Sequence, residues 1–155
     1  MKPFTLLFLT ILLIATPACK KDDDDGPSGP CGLQVTDDTV FYEFQHLGSG
    51  ETFIAWTDDP QLIASVEAQL ALPENQRNKH IHGQIERIPA DCNLNINDIW
   101  SWYFPADGWT LAEVSIELCD GDPNYVEDHL DEYVDNVGSY CPWSSYVLRE
   151  IPAPF

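Results

Sequence analysis

Basic residues are scarce in this chain. Seven lysines and arginines stand against 26 aspartates and glutamates, a formal net charge of −19 at pH 7. From Cys31 onward only Arg77, Lys79, Arg87 and Arg149 are basic. Such a balance repels nucleic acid and anionic lipid and excludes both as partners, while it favours cations or basic partners. Motifs that carry catalysis are also missing: there is no G-x-S-x-G, no H-E-x-x-H and no P-loop. No C-x-x-C pair occurs, which weakens a zinc site. No internal repeat is visible. The one long apolar run, Phe4 to Ala15, is broken by Thr5 and Thr10 and falls short of the roughly 20 residues a membrane-spanning helix needs.

What the amino terminus does hold is a secretory signal. Lys2 supplies the positive start, the apolar run follows, and Ala15-Thr16-Pro17-Ala18 gives small residues before Cys19. This junction resembles a lipobox, which implies cleavage after residue 18 and acylation of the Cys19 thiol. At about 0.8 kcal/mol per buried methylene, two or three acyl chains make a durable membrane anchor. Residues 19–30 continue as the lipidated cysteine and a linker, Lys20-Lys21 and then Asp22 to Asp25 with Gly26-Pro27-Ser28-Gly29-Pro30. Its charge and Pro/Gly content predict an extended, solvated segment. A lysine followed by acids resembles the surface-export signal of certain Gram-negative lipoproteins. A passive spacer is the other reading of this linker; the expected location is the bacterial cell envelope, at the outer membrane, with surface display left open.

Residues 31–155 have the length of one globular domain. Four cysteines remain there, Cys31, Cys92, Cys119 and Cys141, and export to an oxidising compartment predicts two disulfides; the residues alone leave three pairings open. Residues 39–46 and 51–57 read as a hairpin around Leu47-Gly48-Ser49-Gly50. Asp59 as cap and Pro60 in the first turn start a helix carrying Leu62, Ile63, Val66 and Leu70, and Pro73 ends it. Strands are predicted over 80–88, 100–104, 110–118 and 144–151. Asp122 and Pro123 open a second helix with a stripe of Val126, Leu130, Tyr133, Val134 and Val137, stopped by Gly138. These elements predict an α+β fold: a mainly antiparallel sheet of about six strands with two helices, stapled by disulfides.

The second half carries a resemblance. Glu117-Leu118-Cys119-Asp120-Gly121, Tyr125-Val126-Glu127 with His129-Leu130-Asp131, and Cys141-Pro142-Trp143-Ser144-Ser145 resemble one family, with Asp59-Pro60, His80-Ile81, Gly83, Ile85 and Trp100-Ser101-Trp102 agreeing upstream. It is the family named for the N-terminal domain of a calmodulin-binding protein from amoebae, found also in bacteria and fungi. The likeness covers roughly residues 39–151. The chain departs from it at Tyr103, where many relatives are expected to carry histidine, and at His82, usually small or polar. The resemblance implies fold and domain limits rather than an activity. It also implies Cys119–Cys141, both inside matching motifs, and leaves Cys31–Cys92 as the second pair.

Candidate sites are few. Asp120, Asp122, Asn124, Asp128 and Asp131 fall at offsets that partly mimic a calcium-binding loop, but Tyr125 stands where that loop turns on glycine, and helix capping with a solvated acidic face is the preferred reading. A looser cation site would use Glu117, Asp120 and Asp122. His80 and His82, two apart on a strand, share a face and make half of a metal site; a hydrogen-bonded pocket role for His80 is preferred. Arg77, Lys79 and Arg87 could hold an anion, with pairing to nearby carboxylates preferred. Trp100, Trp102 and Phe104 share a strand face, with Tyr103 on the other, and core packing is the expectation for most of these rings. Glu113 and Glu117 lie about 13 Å apart on a strand, too far for a glycosidase pair.

The leading expectation is a lipid-anchored extracytoplasmic domain that binds a ligand or partner without catalysis, its site at His80, Trp102, Glu117 and Asp120, with no cofactor unless calcium. The alternative is a hydrolase-type enzyme around His80, Glu117 and Asp120. A purely structural envelope module is a third reading.

Overall fold

The computed structural model describes residues 30–92 and 96–155. The signal, Cys19 and the acidic linker lie outside these residues, as do Asn93 to Asn95 in the loop expected over 93–98. Among the described residues no helix is long and apolar enough to cross a membrane.

The fold is α+β, with seven strands among the described residues in three small antiparallel sheets rather than one. Strands β1 (Val40–His46) and β2 (Thr52–Thr57) form the expected hairpin, and β7 (Ser145–Ile151) pairs with the other edge of β1, giving the order β2-β1-β7. Strand alternation sends Tyr42, Phe44, Phe53 and Ala55 to one face and Phe41, Ile54 and Trp56 to the other, and both faces are buried. Helix α1 (Pro60–Leu70) starts where Asp59 Oδ1 accepts from the Gln61 N–H at 2.8 Å, and its Leu62 and Val66 cover the first face.

The strand expected over 80–88 is two pieces, β3 (His80–Gly83) and β4 (Glu86–Arg87). Gly83 explains the break. It bridges to Tyr140, and a Cβ there would stand 2.4 Å from the Gly108 carbonyl oxygen, so the backbones touch where no side chain fits. β4 pairs with β5 (Trp102–Tyr103), and β3 pairs with β6 (Trp109–Ala112). Because β3 begins at His80, opposite Ala112, the strand expected over 110–118 ends at Ala112. Residues 113–116 continue without a partner strand into a 3-10 turn at Glu117–Cys119.

The second helix starts as expected, with Asp122 Oδ1 accepting from the Tyr125 N–H at 3.0 Å. It does not run through to Gly138. Helix α2 (Pro123–Asp128) breaks at His129, whose ring Nδ1 lies 2.8 Å from the Tyr125 carbonyl and whose imidazole stacks on Tyr125. One short turn, α3 (Leu130–Glu132), and a wide π-type turn over Tyr133–Val137 follow, ended by Gly138 in the left-handed region. Both disulfides expected from the resemblance are present, Cys31–Cys92 and Cys119–Cys141.

The edges of the three-stranded sheet are covered by side chains. Arg77 donates to the Val147 and Leu148 carbonyls of β7 at 2.6 and 3.1 Å. On β2, buried Asn97 accepts from the Ile54 N–H at 2.6 Å, while the Trp100 and Trp109 indoles donate to the Thr52 and Trp56 carbonyls. A covered edge cannot template another strand.

Candidate functional site

His80 opens β3 and is buried, and its Nε2 lies 2.7 Å from Ser115 Oγ. Burial lowers its pKa; the neighbouring His82 lowers it further, and Asp120 opposes them. At neutral pH the ring is therefore uncharged. His82, half-buried on the same strand face, lines a separate hollow with Gly108 and Trp109. Among the described residues no three His, Cys, Asp or Glu side chains come together to hold a metal ion.

Beside His80 opens a cavity of about 450 Å³. The loop over 74–79 forms one wall with Glu74, Asn78 and Lys79, and the segment entering β7 forms the other with Trp143, Ser144 and Tyr146. The Arg77 guanidinium packs 5.8 Å from the Tyr146 ring centre while its N–H groups serve the β7 carbonyls. Two of the domain's four basic residues thus stand at one cavity, with Glu74 as its single carboxylate. Trp143 is 46 % exposed, whereas Trp56, Trp100, Trp102 and Trp109 are buried. Its place is fixed from behind, where its backbone N–H donates to Asp120 Oδ1 at 2.9 Å.

The other expected site residues do not converge on His80. Trp102 is wholly buried among Phe53, Phe104 and Tyr140 and lines no cavity with it. Tyr103, on the opposite strand face, stacks on Trp56 at 5.5 Å and lines with it, Glu86 and Asp107 a separate cavity of about 620 Å³ away from His80. Glu117, Asp120 and Asp122 line an open hollow with Tyr125, Glu132 and Tyr133. Asp122 caps α2, in line with the capping reading, and the helix begins where a calcium loop would still be turning. The Tyr133 hydroxyl donates to the Asp120 carbonyl, and burial raises its pKa to about 12. The expected pairing of basic residues with carboxylates is found for Arg87, which bridges Asp131 and Asp135 at 2.6 and 2.9 Å, but not for Arg77, which is engaged by carbonyls.

Over residues 38–154 the chain matches the family described as the BP-74 N-terminal domain, the one its motifs resemble. It belongs to that family. Comparison with curated proteins and with solved structures gives no match. The BP-74 N-terminal domain thus begins just before β1 and includes α1, both small sheets and β7, while Cys31 precedes it. Within it, sequence reasoning missed Ser115, Trp143 and Tyr146 as neighbours of the His80 region. The contact between His80 and Ser115 joins residues 35 positions apart and leaves no local signal. The run of bases at Arg77 and Lys79 was the one local hint of the cavity.

Proposed function

We propose that this chain is a lipid-anchored binding domain of the bacterial cell envelope, whose cavity beside His80 takes a small anionic ligand. The anchor rests on the apolar run, the small residues before Cys19 and the acidic linker, and two disulfides accord with an oxidising compartment. One observation carries the ligand reading: on a chain of net charge −19, Arg77 and Lys79 meet a half-exposed Trp143 at a single cavity. Local positive charge inside a negative field selects an anion small enough to enter, and an aromatic wall favours a sugar ring. A sugar acid such as galacturonate combines both features.

Titration with galacturonate and with inorganic phosphate tests this. Fluorescence of Trp143 should change, and Lys79→Glu should weaken binding about tenfold or more through charge reversal at the wall. Silence of Trp143 and of the amide signals over 77–80 with both anions would sink the ligand reading. In a bacterial host, Cys19 should incorporate labelled palmitate, and Cys19→Ala should release the protein from the membrane fraction.

A second reading, a hydrolase, is favoured by the 2.7 Å contact between His80 Nε2 and Ser115 Oγ. This is the spacing of a base and a nucleophile, with Ser115 in place of the expected Glu117. A fluorophosphonate probe would then label Ser115: Oγ bonds to phosphorus, fluoride leaves, and the proton passes to His80 Nε2. The labelling rate should rise with pH through a midpoint below the ordinary histidine value of 6.5, because His80 acts only when neutral and its pKa is lowered. No labelling, or labelling that His80→Ala leaves unchanged, would remove the enzyme reading.

A further inference from the structure

We propose that residues 113–116, with Leu118 on the 3-10 turn that follows, form a docking edge that pairs with an extended segment of a partner protein in which apolar and basic residues alternate. The segment is displayed rather than folded in: Val114, Ile116 and Leu118 are 85, 64 and 66 % exposed, a high exposure for three large apolar side chains in so short a run. Val114, Ser115 and Ile116 donate no backbone hydrogen bond to any described residue. The two outer edges of the three-stranded sheet are covered, by Arg77 on β7 and by Asn97, Trp100 and Trp109 on β2. This edge alone among those combines bare N–H groups with an apolar ridge, the two features that strand addition uses for affinity and for side-chain selection.

The segment is also held in place at both ends. Ser115 is tied to His80, and Cys119 is bonded to Cys141, with the Cys141 N–H donating to the Cys119 carbonyl at 2.7 Å. A segment already tied down in this way loses little conformational freedom when a strand adds to it.

Charge names the occupant. Exposed Glu113 and Glu117 flank the ridge, and beyond Leu118 the hollow continues it with Asp120, Asp122 and Glu132 around Tyr125. No basic residue lines that hollow. A second copy of this chain would bring its own net charge of −19 against these carboxylates, and an anionic membrane would meet the same repulsion. A strand with lysine or arginine between its apolar residues matches both the ridge and the acids. This inference is independent of the cavity beside His80 and goes beyond it.

The test uses the full chain in mild detergent and a synthetic peptide of about ten residues that alternates valine and lysine. Binding followed by fluorescence anisotropy should be about tenfold weaker for the variant Val114→Thr, Ile116→Thr, Leu118→Thr, and salt should weaken it too. In the complex the amides of Val114 and Ile116, which an extended backbone sends to the same side, should become protected from hydrogen exchange. The exchange map of the unaltered protein needs no variant, so it decides the matter even if the triple variant fails to fold. Absence of binding, equal binding of a valine–glutamate peptide, or protection elsewhere would overturn the proposal. A dimer that the triple variant dissolves would overturn it in favour of a second copy, and vesicle binding lost in that variant would overturn it in favour of a lipid surface.

Discussion

Trp102→Ala should lower the unfolding free energy by about 3–5 kcal/mol, because a large ring is lost from a site that cannot collapse around the gap. Trp102 has no exposed surface and meets Phe53, Trp100, Phe104 and Tyr140 with ring centres 5.2 to 6.0 Å apart. These rings come from β2, the residues flanking β5 and the segment before β7, so the same residue ties three separate parts of the chain together. Urea denaturation followed by circular dichroism measures the loss as a fall in midpoint. Trp102→Phe should cost clearly less. It keeps most of the ring, and no described residue accepts a hydrogen bond from the Trp102 indole N–H, so little polar pairing is given up. A Trp102→Ala variant of near-normal stability would show that the core does not depend on this ring. Binding at the cavity beside His80 should persist in whatever fraction stays folded.

The second large effect is expected from the outer disulfide. Replacing Cys31 and Cys92 by serine should cost about 4 kcal/mol in the chain-entropy account, since the bond closes a loop across 61 positions. The Cys119–Cys141 bond spans 22 positions, and its loss should cost about 3 kcal/mol by the same reasoning. The outer bond also fixes the amino-terminal arm, whose Leu33 packs with Phe41, Ile54 and Trp56 on the second face of the main sheet. Its removal should therefore expose Trp56 and red-shift its fluorescence before the rest of the domain unfolds. A loss below about 1 kcal/mol would mean that apolar packing alone holds the arm. The fluorescence arm of the experiment separates peeling from global unfolding.

Local chemistry made much of the fold legible. Asp59 and Pro60 set the start of α1 to the residue, Asp122 and Pro123 did the same for α2, and Leu47-Gly48-Ser49-Gly50 fixed the hairpin of β1 and β2. Caps and turns are decided within four or five residues, so the sequence contains the whole cause. Where the reading over 80–88 and 110–118 failed, the cause lay outside the segment. Gly83 must touch Gly108 and Tyr140, and the strand after Trp109 can pair only as far as β3 reaches. The long helix expected after Asp122 is interrupted at His129, whose backbone leaves the helical region as its ring stacks on Tyr125, a local choice that apolar periodicity does not register.

For the site, residue type alone suggested His80, Glu117, Asp120 and Trp102 as one group, and tertiary structure separated them. Trp102 went to the core because burying a large ring is favourable and both faces of its strand are covered. Glu117 and Asp120 went to the hollow around Tyr125, and His80 acquired Ser115 and a cavity wall containing Lys79 and Trp143. By itself the sequence determined the excess of acid, the capped helix starts, the hairpin and the α+β class. Each follows from composition or from interactions between near neighbours. Only the tertiary structure decided which rings are core, which carboxylates lie near a histidine and which strand edge stays bare, because those outcomes depend on contacts between residues tens of positions apart.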